Sequence, residues 1–495
     1  MLIAKVALST SLALTSFITT ANPLLAVVQT AKDTSVSSSV AIPETPAGRQ
    51  MASWLKAFNS GDEKQLRAFH TASGAAERID RRTRQDANFY KQTRGLELKQ
   101  IETSTEYEIT VVARAKLTEA WCRVSMKVAP EPSNNILAYN VRVASNPAPA
   151  ARGTLSEADL VKSLSAYLDK LVNADVFSGT VLVAKNGKPL FAKAYGFANT
   201  AYKVPNRLDT KFNLGSMNKM FTAVAICQLA ERSKLSFDDP IGKHLTDYPN
   251  KIAAQKVTIH HLLTHSSGIG DYFNEKFMEA SRDRFRKIQD YFPLFADKPL
   301  EFEPGAKFRY SNAGFMVLGA IVAKVSGRDY FDYVRENIYN PAGMINTDAY
   351  ELDRDTPNLA FGYTNDEDGG ARRNNLFLHV IKGGPAGGGY STVEDLMRFD
   401  VALRQGKLLN AQSTEILLSG KIASGFSASA KYAYGFIDET TNGQRIVGHG
   451  GGFPGINSQL DVYLTSGYTV AVMANYDPPA AQIVANKLRE MIAQL

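Results

Sequence analysis

The sequence predicts a mixed α/β protein of two parts: a small α+β domain, then a larger antiparallel sheet flanked by helices and carrying a helical subdomain. Strand-like alternation appears at both ends of the larger part, near residues 179–195 and 459–475, while the residues between have mostly helical spacing. One sheet built from both ends, with a helical insertion, would bury these elements together. A segment rich in Pro and Ala at residues 146–154 separates the two parts.

Length and composition indicate a soluble globular protein. The 495 residues are enough for two or three domains, and 44% of them are hydrophobic against 21% charged. The net charge of +7 is small for this length, and no basic run interleaved with aromatic residues occurs, so we expect no nucleic-acid partner. Cys122 and Cys227 fall in different predicted domains, and two buried thiols are favoured over a disulfide.

The N-terminus has the features of a secretory signal peptide. Lys5 precedes an apolar stretch and then small residues that suit cleavage, so residues 1–26 are predicted to be a signal peptide and residues 27–45 a linker. An uncleaved anchor over residues 2–28 is the alternative, but Asn22-Pro23 disfavours it. We therefore expect export to the periplasm or the medium, with no stable membrane span after cleavage.

Residues 46–145 form the predicted small domain. Helical spacing at residues 52–58 is followed by three segments, 107–113, 124–128 and 137–143, in which apolar residues alternate. Alternation at period two is typical of half-buried antiparallel strands. Helices followed by such a meander resemble the NTF2-like cone fold. That resemblance implies either a ligand-holding or a structural role.

Residues 155–495 form the predicted large domain. A helix is expected at 156–173, followed by a hairpin of strands 179–185 and 189–195 around the turn Asn186-Gly187. Near the C-terminus the pattern predicts strands at 459–464 and 468–475 and an amphipathic helix at 480–494.

The first candidate site is Ser216, three residues before Lys219. We predict a helix that starts at Gly215-Ser216, with an apolar stripe on one side. At that spacing the two side chains are neighbours, and burial would hold the lysine neutral, so that Lys219 could take the proton of a nucleophilic serine. The same spacing recurs at Ser53 and Lys56, where it is interpreted as a coincidence, because no partner motif lies nearby.

The second candidate element is Tyr310-Ser311-Asn312, which follows a Pro-Gly turn and precedes an apolar helix at 313–325. A phenol can relay a proton, and an asparagine amide can hold a substrate carbonyl. Two other Tyr-x-Asn copies, at 272–274 and 363–365, are set aside because only the Tyr310 copy is expected at a junction between a loop and a helix.

The third candidate element is the run His449-Gly450-Gly451-Gly452. Its glycines fit the dinucleotide pattern G-x-G-x-x-G, but strands rather than a helix are expected to follow, which excludes that interpretation. Glycines here would let a substrate backbone lie along a strand edge, with a backbone N–H available for an oxyanion.

These elements together resemble the superfamily of serine β-lactamases and penicillin-binding proteins. The likeness is to the branch of class C β-lactamases, D-aminopeptidases and carboxylesterases, over residues 155–495. It extends to the runs HLLTHSSGI at 261–269, NPAGM at 340–344 and GGGYST at 387–392. The resemblance implies Ser216 as acylated nucleophile, Lys219 as base and Tyr310 as proton relay, with no metal or cofactor. It also implies substrate binding by Asn312, His449 and Gly451, and an oxyanion hole from the N–H groups of Ser216 and Gly452.

The third motif departs from the Lys-Thr-Gly that is frequent in this superfamily. A lysine supplies a permanent cation, whereas histidine, with an ordinary pKa near 6.5, is largely neutral above pH 7. Carboxylate-bearing substrates should therefore be handled poorly. Lys382 could be a displaced copy, but its surroundings favour an ordinary loop lysine. His260, His261 and His265 could suggest a zinc site, yet the glutamate of the metalloprotease pattern is absent, so we expect structural histidines.

The sequence thus predicts an exported serine hydrolase that acts on a small-molecule ester, an amide or peptide, or a β-lactam. Esterase or aminopeptidase-like activity is favoured over β-lactamase or D,D-carboxypeptidase activity. A binding or sensor module without turnover is the alternative of another class. The acyl group and the oligomeric state are left open.

Overall fold

The computed structural model describes residues 40–74, 79–144, 146–147, 153–365 and 371–495. The predicted signal peptide at 1–26 lies outside the described residues, as do residues 27–39 of the first linker and 148–152 of the second. Within the described residues, no helix combines the length and the apolar character that a bilayer crossing requires.

The described chain divides into two compact units. The first comprises residues up to Lys116 together with Trp121–Val143, and the second comprises Leu117–Ala120 together with Ala144–Leu495. Cys122 and Cys227, one in each unit, are both buried.

The first unit consists of three helices and a four-stranded antiparallel meander in the order β1-β2-β3-β4. Trp54 and Phe58, on one face of the first helix, stack with their ring centroids 5.0 Å apart and are fully buried. The elements are Pro46–Ser60 (α1), Glu63–Ala72 (α2), Ile79–Thr93 (α3), Leu96–Ser104 (β1), Glu108–Ala115 (β2), Trp121–Val128 (β3) and Ile136–Ala144 (β4). The resemblance to an NTF2-like cone stays a prediction.

The second unit is built on an eight-stranded antiparallel sheet in the order β14-β15-β16-β17-β18-β19-β5-β6. The strands are Gly179–Lys185 (β5), Lys188–Tyr195 (β6), Phe197–Asn199 (β7), Val204–Pro205 (β8), Phe212–Asn213 (β9), Asp348–Ala349 (β10), Tyr363–Thr364 (β11), Arg373–Asn374 (β12), Gly389–Ser391 (β13), Ile422–Ala423 (β14), Lys431–Tyr432 (β15), Ile437–Thr441 (β16), Gln444–Phe453 (β17), Ile456–Tyr463 (β18) and Tyr468–Ala474 (β19).

Helices cover both faces of this sheet. The helices of the second unit are Glu157–Asn173 (α4), Asn218–Glu231 (α5), Ile241–His244 (α6), Lys251–Lys256 (α7), Ile259–Leu263 (α8), Glu275–Glu279 (α9), Asn312–Ser326 (α10), Tyr330–Val334 (α11), Asn340–Ala342 (α12), Val393–Arg404 (α13), Ala411–Leu418 (α14) and Ala480–Ile492 (α15). Short 3₁₀ turns occur at Gly215–Met217, Arg282–Arg284, Ile288–Leu294 and Leu376–Leu378, and a π-turn at Arg335–Tyr339.

The pairing of β19 with β5 brings the two ends of the large domain together. Both strands are buried almost throughout, because one face packs on the core around α5 and α10 and the other on α4 and α15. Strands covered on both faces carry apolar residues at successive positions. The fold confirms the predicted antiparallel sheet flanked by helices, with the helical insertion between its first and last strands.

One strand is longer than its neighbour, and this exposes a segment of backbone. The pairing of β17 with β16 runs from Gln444 to Gly448, whereas its pairing with β18 continues to Phe453. Beyond Gly448, therefore, one edge of β17 is not covered by β16.

Candidate active site

Ser216 lies in the 3₁₀ turn Gly215–Met217, directly before α5. The expected apolar stripe is buried, and so is every other residue from Asn218 to Leu229, so this helix has no exposed face over that range. A helix enclosed on every side removes its polar side chains from water together with its apolar ones. Ser216 itself stays partly exposed.

The turn before Ser216 depends on glycine. Gly215 has a φ of +52°, which L side chains rarely adopt, and its N–H donates to Asn213 Oδ1 at 2.8 Å. A Cβ atom at Gly215 would lie 3.0 Å from the backbone nitrogen of Gly452. The third motif therefore approaches the nucleophile turn at backbone distance.

Lys219 is completely buried beside Ser216. Its Nζ donates to Ser216 Oγ at 3.2 Å, to Asn312 Oδ1 at 2.8 Å and to the carbonyl of Ala386 at 2.6 Å. Burial lowers the pKa of Lys219 to about 7, although the negative charge of Asp271 opposes the change. An amine with that pKa is largely neutral at slightly alkaline pH, which is the state a general base needs.

Tyr310 packs against Lys219, whose Nζ lies 4.8 Å from the centre of the tyrosine ring. Burial raises the pKa of the phenol, against an opposing hydrogen bond with Ser216. The phenol is therefore protonated at every pH at which Lys219 titrates.

Asn312 is held between Lys219 and Asp271. Its Oδ1 accepts from Lys219, while its Nδ2 and its backbone N–H donate to Asp271 Oδ2 at 2.9 and 3.0 Å. The amide oxygen of Asn312 thus orients Lys219. One hydrogen of Nδ2 remains for the predicted contact with a substrate.

His265 fixes the loop that carries Tyr310. Its carbonyl accepts the N–H of Arg309 at 2.8 Å, and its Nδ1 accepts the N–H of Ser311 at 3.1 Å. The imidazole also packs on the ring of Tyr310, with centroids 4.2 Å apart. Burial holds the pKa of His265 well below its ordinary value, so the ring is neutral. These contacts support the predicted structural role.

His449 lies in β17, 4% exposed, with both ring nitrogens engaged by the protein. Nε2 is 2.9 Å from Tyr432 Oη, and Nδ1 is 2.5 Å from the carbonyl of Gly450. Burial lowers its pKa to about 3. In this arrangement neither nitrogen is available to a substrate, so the predicted direct contact of His449 with a substrate is wrong. The residue is uncharged, as the sequence predicted.

The three glycines of β17 alternate in direction. Phe453 and Ile456 close a two-residue turn, so the backbone groups of Gly451 point to β18 and those of Gly450 and Gly452 point to the open edge. Accordingly Gly451 O accepts from Asn457 Nδ2 at 2.8 Å. Gly451 was expected to bind substrate; instead it permits close packing, because a Cβ there would lie 2.0 Å from the carbonyl oxygen of Leu214.

The competing motifs lie elsewhere. Ser53 and Lys56 are exposed on α1, and Lys382 is paired with Glu351 at 2.7 Å. The expectation that only the Tyr310 copy of Tyr-x-Asn precedes a helix is wrong, because Asn274 caps α9. Its side chain accepts the N–H of Phe277, which leaves it a capping role.

The other two neighbouring histidines have separate structural bonds. His260 Nδ1 is 2.8 Å from Tyr434 Oη, and His261 Nδ1 accepts the N–H of Thr258 at 3.2 Å. Among the residues described, no group of three or more His, Cys, Asp or Glu side chains has the arrangement of a metal site.

Sequence reasoning missed two groups of this site. Asp271 lies two residues after the run at 261–269, and an acidic side chain beside that run was the sequence feature that could have identified it. The carbonyl of Ala386, within the glycine-rich segment 383–389, had no such feature, because every residue type supplies a backbone acceptor.

Comparisons with known proteins cover most of the large domain. The family model described as Beta-lactamase matches residues 164–494. The putative penicillin-binding protein PbpX of Bacillus subtilis (strain 168) is 29% identical over 338 residues, which cover 68% of this chain and 79% of that protein.

Two solved structures are similar over the same region. A penicillin binding protein from Bacillus halodurans is 37% identical, with a TM-score of 0.59 over 64% of this chain and 97% of that one. A D-stereospecific amidohydrolase from Streptomyces sp. is 25% identical, with a TM-score of 0.56 over 67% of this chain and 98% of that one.

Proposed function

The chain belongs to the β-lactamase family of serine hydrolases, and from that premise we propose that it is an exported enzyme that cleaves an ester or a small amide through an acyl-enzyme on Ser216. The contact that carries the proposal is the 3.2 Å hydrogen bond between Lys219 Nζ and Ser216 Oγ. The amine is fully buried and has a pKa of about 7, so it can accept the serine proton.

Acylation begins when Ser216 Oγ attacks the substrate carbonyl carbon and its proton passes to Lys219 Nζ. The carbonyl oxygen then carries the negative charge, which the N–H groups of Ser216 and Gly452 stabilise. Gly452 suits this role because its N–H points to the open edge of β17 and lies against the Gly215 turn. Donors oriented in advance toward a developing charge are a large term in catalysis.

Departure of the leaving group needs a proton. The bond from the carbonyl carbon to the leaving oxygen or nitrogen breaks while the Lys219 proton reaches that atom through the Tyr310 phenol. The raised pKa of Tyr310 keeps the phenol protonated, as a relay requires. Water then attacks the acyl-enzyme and gives its proton to Lys219, and the proton returns to Ser216 Oγ as the acid leaves.

The charges of the site favour uncharged or cationic substrates. The third motif offers no cation, because burial lowers the pKa of His449 to about 3. Asp271, bonded to Asn312, contributes a negative charge beside Lys219. A hydrogen bond to a charged group contributes about 1.5–3 kcal/mol against about 0.5–1.5 for a neutral pair, so a substrate carboxylate loses affinity here.

Substrate pairing with the open edge of β17 would use Gly450 and Gly452, while Asn312 would contact the substrate through its remaining amide hydrogen. The similarity to a D-stereospecific amidohydrolase supports an amide as one substrate class. The second candidate, β-lactamase or D,D-carboxypeptidase activity, has the similarity to penicillin-binding proteins in its favour. The charge of the site opposes it.

A series of uncharged p-nitrophenyl esters, amino-acid amides and a fluorescent penicillin would separate these candidates. We expect hydrolysis of esters and amides, with mass spectrometry locating the acyl group on Ser216. Efficient hydrolysis of penicillin at pH 8 would contradict the charge argument, and stable acylation without turnover would favour a sensor.

Export is proposed from the signal-like pattern of residues 1–26. Expression of the full chain in a bacterial host, followed by fractionation and N-terminal sequencing, tests it. We expect processed protein outside the cytoplasm, and an unprocessed N-terminus in the membrane fraction would indicate an anchor instead.

A further inference from the structure

The strand that supplies the proposed oxyanion N–H has little steric restraint of its own. Gly450, Gly451 and Gly452 are consecutive glycines, and glycine loses more conformational freedom on folding than any other residue. An oxyanion donor must nevertheless lie within about 2.7–3.1 Å of the charge that it stabilises. The pairing with β18, together with side chains around it, must therefore hold this backbone in place.

Asn457 is fully buried and directly opposite Gly452 in the β17–β18 pairing. Its Nδ2 donates to the carbonyl of Gly451 at 2.8 Å. That carbonyl belongs to the same peptide unit as the Gly452 N–H, and the two groups of a planar trans peptide point in opposite directions. Holding the carbonyl therefore aims the N–H at the open edge of β17, beside the Gly215 turn.

The other end of the Asn457 amide is fixed as well. Its Oδ1 accepts the N–H of Ala481 at 2.6 Å, in the first turn of α15. Pro479, at the start of that helix, makes no side-chain cap, so Asn457 satisfies a helix N–H from a neighbouring strand. One buried side chain thus joins the glycine strand to the C-terminal helix.

We propose that Asn457 is a positioning residue for the oxyanion hole, orienting the Gly451–Gly452 peptide through the Gly451 carbonyl. The proposal rests on the function proposed above, in which Gly452 N–H stabilises the tetrahedral intermediate. Asn457 does not contact the reacting atoms, and it acts through the peptide that it holds.

The test compares Asn457→Ala with Asn457→Asp and with a matched control, Asn475→Ala. The Asp variant keeps an acceptor for the Ala481 N–H and loses the amide donor to Gly451. Asn475 is equally buried and donates to the carbonyls of Phe197 and Phe361 at 2.9 and 2.8 Å, so its loss disrupts comparable bonds away from β17.

Each variant is measured in the full chain with p-nitrophenyl acetate and with phenylboronic acid, whose adduct on Ser216 places an oxygen in the oxyanion position. Melting temperature and titration of acylatable sites correct for misfolded protein. We expect both Asn457 variants to lower kcat per active site about 10–100-fold, less than the 10²–10³-fold loss of a whole donor. The KM should change less than about threefold, and boronate affinity should fall in step with kcat/KM.

A purely structural role would give a different pattern. Asn475→Ala should lower the melting temperature while keeping kcat and boronate affinity near those of the wild type. If the Asn457 variants keep wild-type kcat per active site, or lose boronate and substrate affinity equally, Asn457 does not position the oxyanion hole. Wild-type protein that is not acylated on Ser216 would instead contradict the proposed function itself.

Discussion

The chain carries the same spacing, a serine three residues before a lysine, in two helical regions with opposite surroundings. On α1, Ser53 and Lys56 both face solvent. At the start of α5, Lys219 has no exposed surface and contacts Ser216 directly.

The difference lies in what surrounds each helix. Helix α1 buries one face, through residues such as Trp54 and Phe58, and its polar side chains occupy the other. Helix α5 is enclosed on every side, so Lys219 is buried although a charged side chain is more stable in water. Spacing therefore makes a serine and a lysine neighbours, and burial is what makes the lysine a base.

The largest expected effect separates the two serines. Ser216→Ala should lower hydrolysis by at least about 10⁴-fold, as removal of a nucleophile does in other serine hydrolases, and should abolish labelling by an acylating probe. Ser53→Ala should leave both unchanged. Mass spectrometry that located the adduct on any residue other than Ser216 would remove the distinction.

The two lysines should differ almost as much. Lys219→Arg places a permanently charged group where a neutral base is required, so the acylation rate should fall roughly 10²–10⁴-fold. The matched change Lys56→Arg should have no effect. Stopped-flow acylation with a p-nitrophenyl ester measures both, and an active Lys219→Arg enzyme would exclude Lys219 as the base.

A smaller effect concerns pH. Wild-type acylation should rise as Lys219 loses its proton near pH 7 and level off above it. Asp271→Asn removes the charge that raises the pKa of Lys219, so the rise should move to lower pH. Profiles of kcat/KM between pH 5 and 9 test this, with Asp247→Asn on the surface as control. A shift to higher pH would contradict the assigned charge.

The smallest effect is expected from removing all residues before Gly153, which include α1. Residues from Gly153 onward contain every proposed catalytic group, so the fragment should hydrolyse an uncharged ester within a few-fold of the full chain. Its melting temperature should be lower, because Leu117–Ala120 belongs to the second unit. A soluble, monodisperse but inactive fragment would mean that the first domain shapes the site.

Patterns that repeat locally predicted much of this fold. The strands β5 and β19 and the helices α4 and α15 were expected within a few residues of their observed bounds, because their periodicity reports burial directly. The strand β17 was recognised as a glycine motif rather than as a central strand. Its glycines carry no side chain from which alternation could be read.

The site was predictable only in part. Ser216, Lys219 and Tyr310 were expected together from motif order, and their contacts agree with the predicted roles. The carbonyl of Ala386, which accepts from Lys219, is remote in sequence. Asn457, which donates to the Gly451 carbonyl, is only six residues away, but its residue type alone does not indicate this bond. The two nitrogens of His449 were occupied by Tyr432 and Gly450, which a residue type alone does not indicate.

The buried lysine also has a consequence for folding. Lys219 has its ordinary pKa of 10.5 in the unfolded chain and a pKa of about 7 in the folded chain. This difference destabilises the folded state by roughly 5 kcal/mol when the lysine is protonated. Between these values the unfolded state binds more protons, so this destabilisation is full below pH 7 and fades as the pH rises. The free energy of unfolding of the wild type, relative to Lys219→Met, should therefore increase from pH 7 to 10. A slightly alkaline medium would favour both the working enzyme and its folded state.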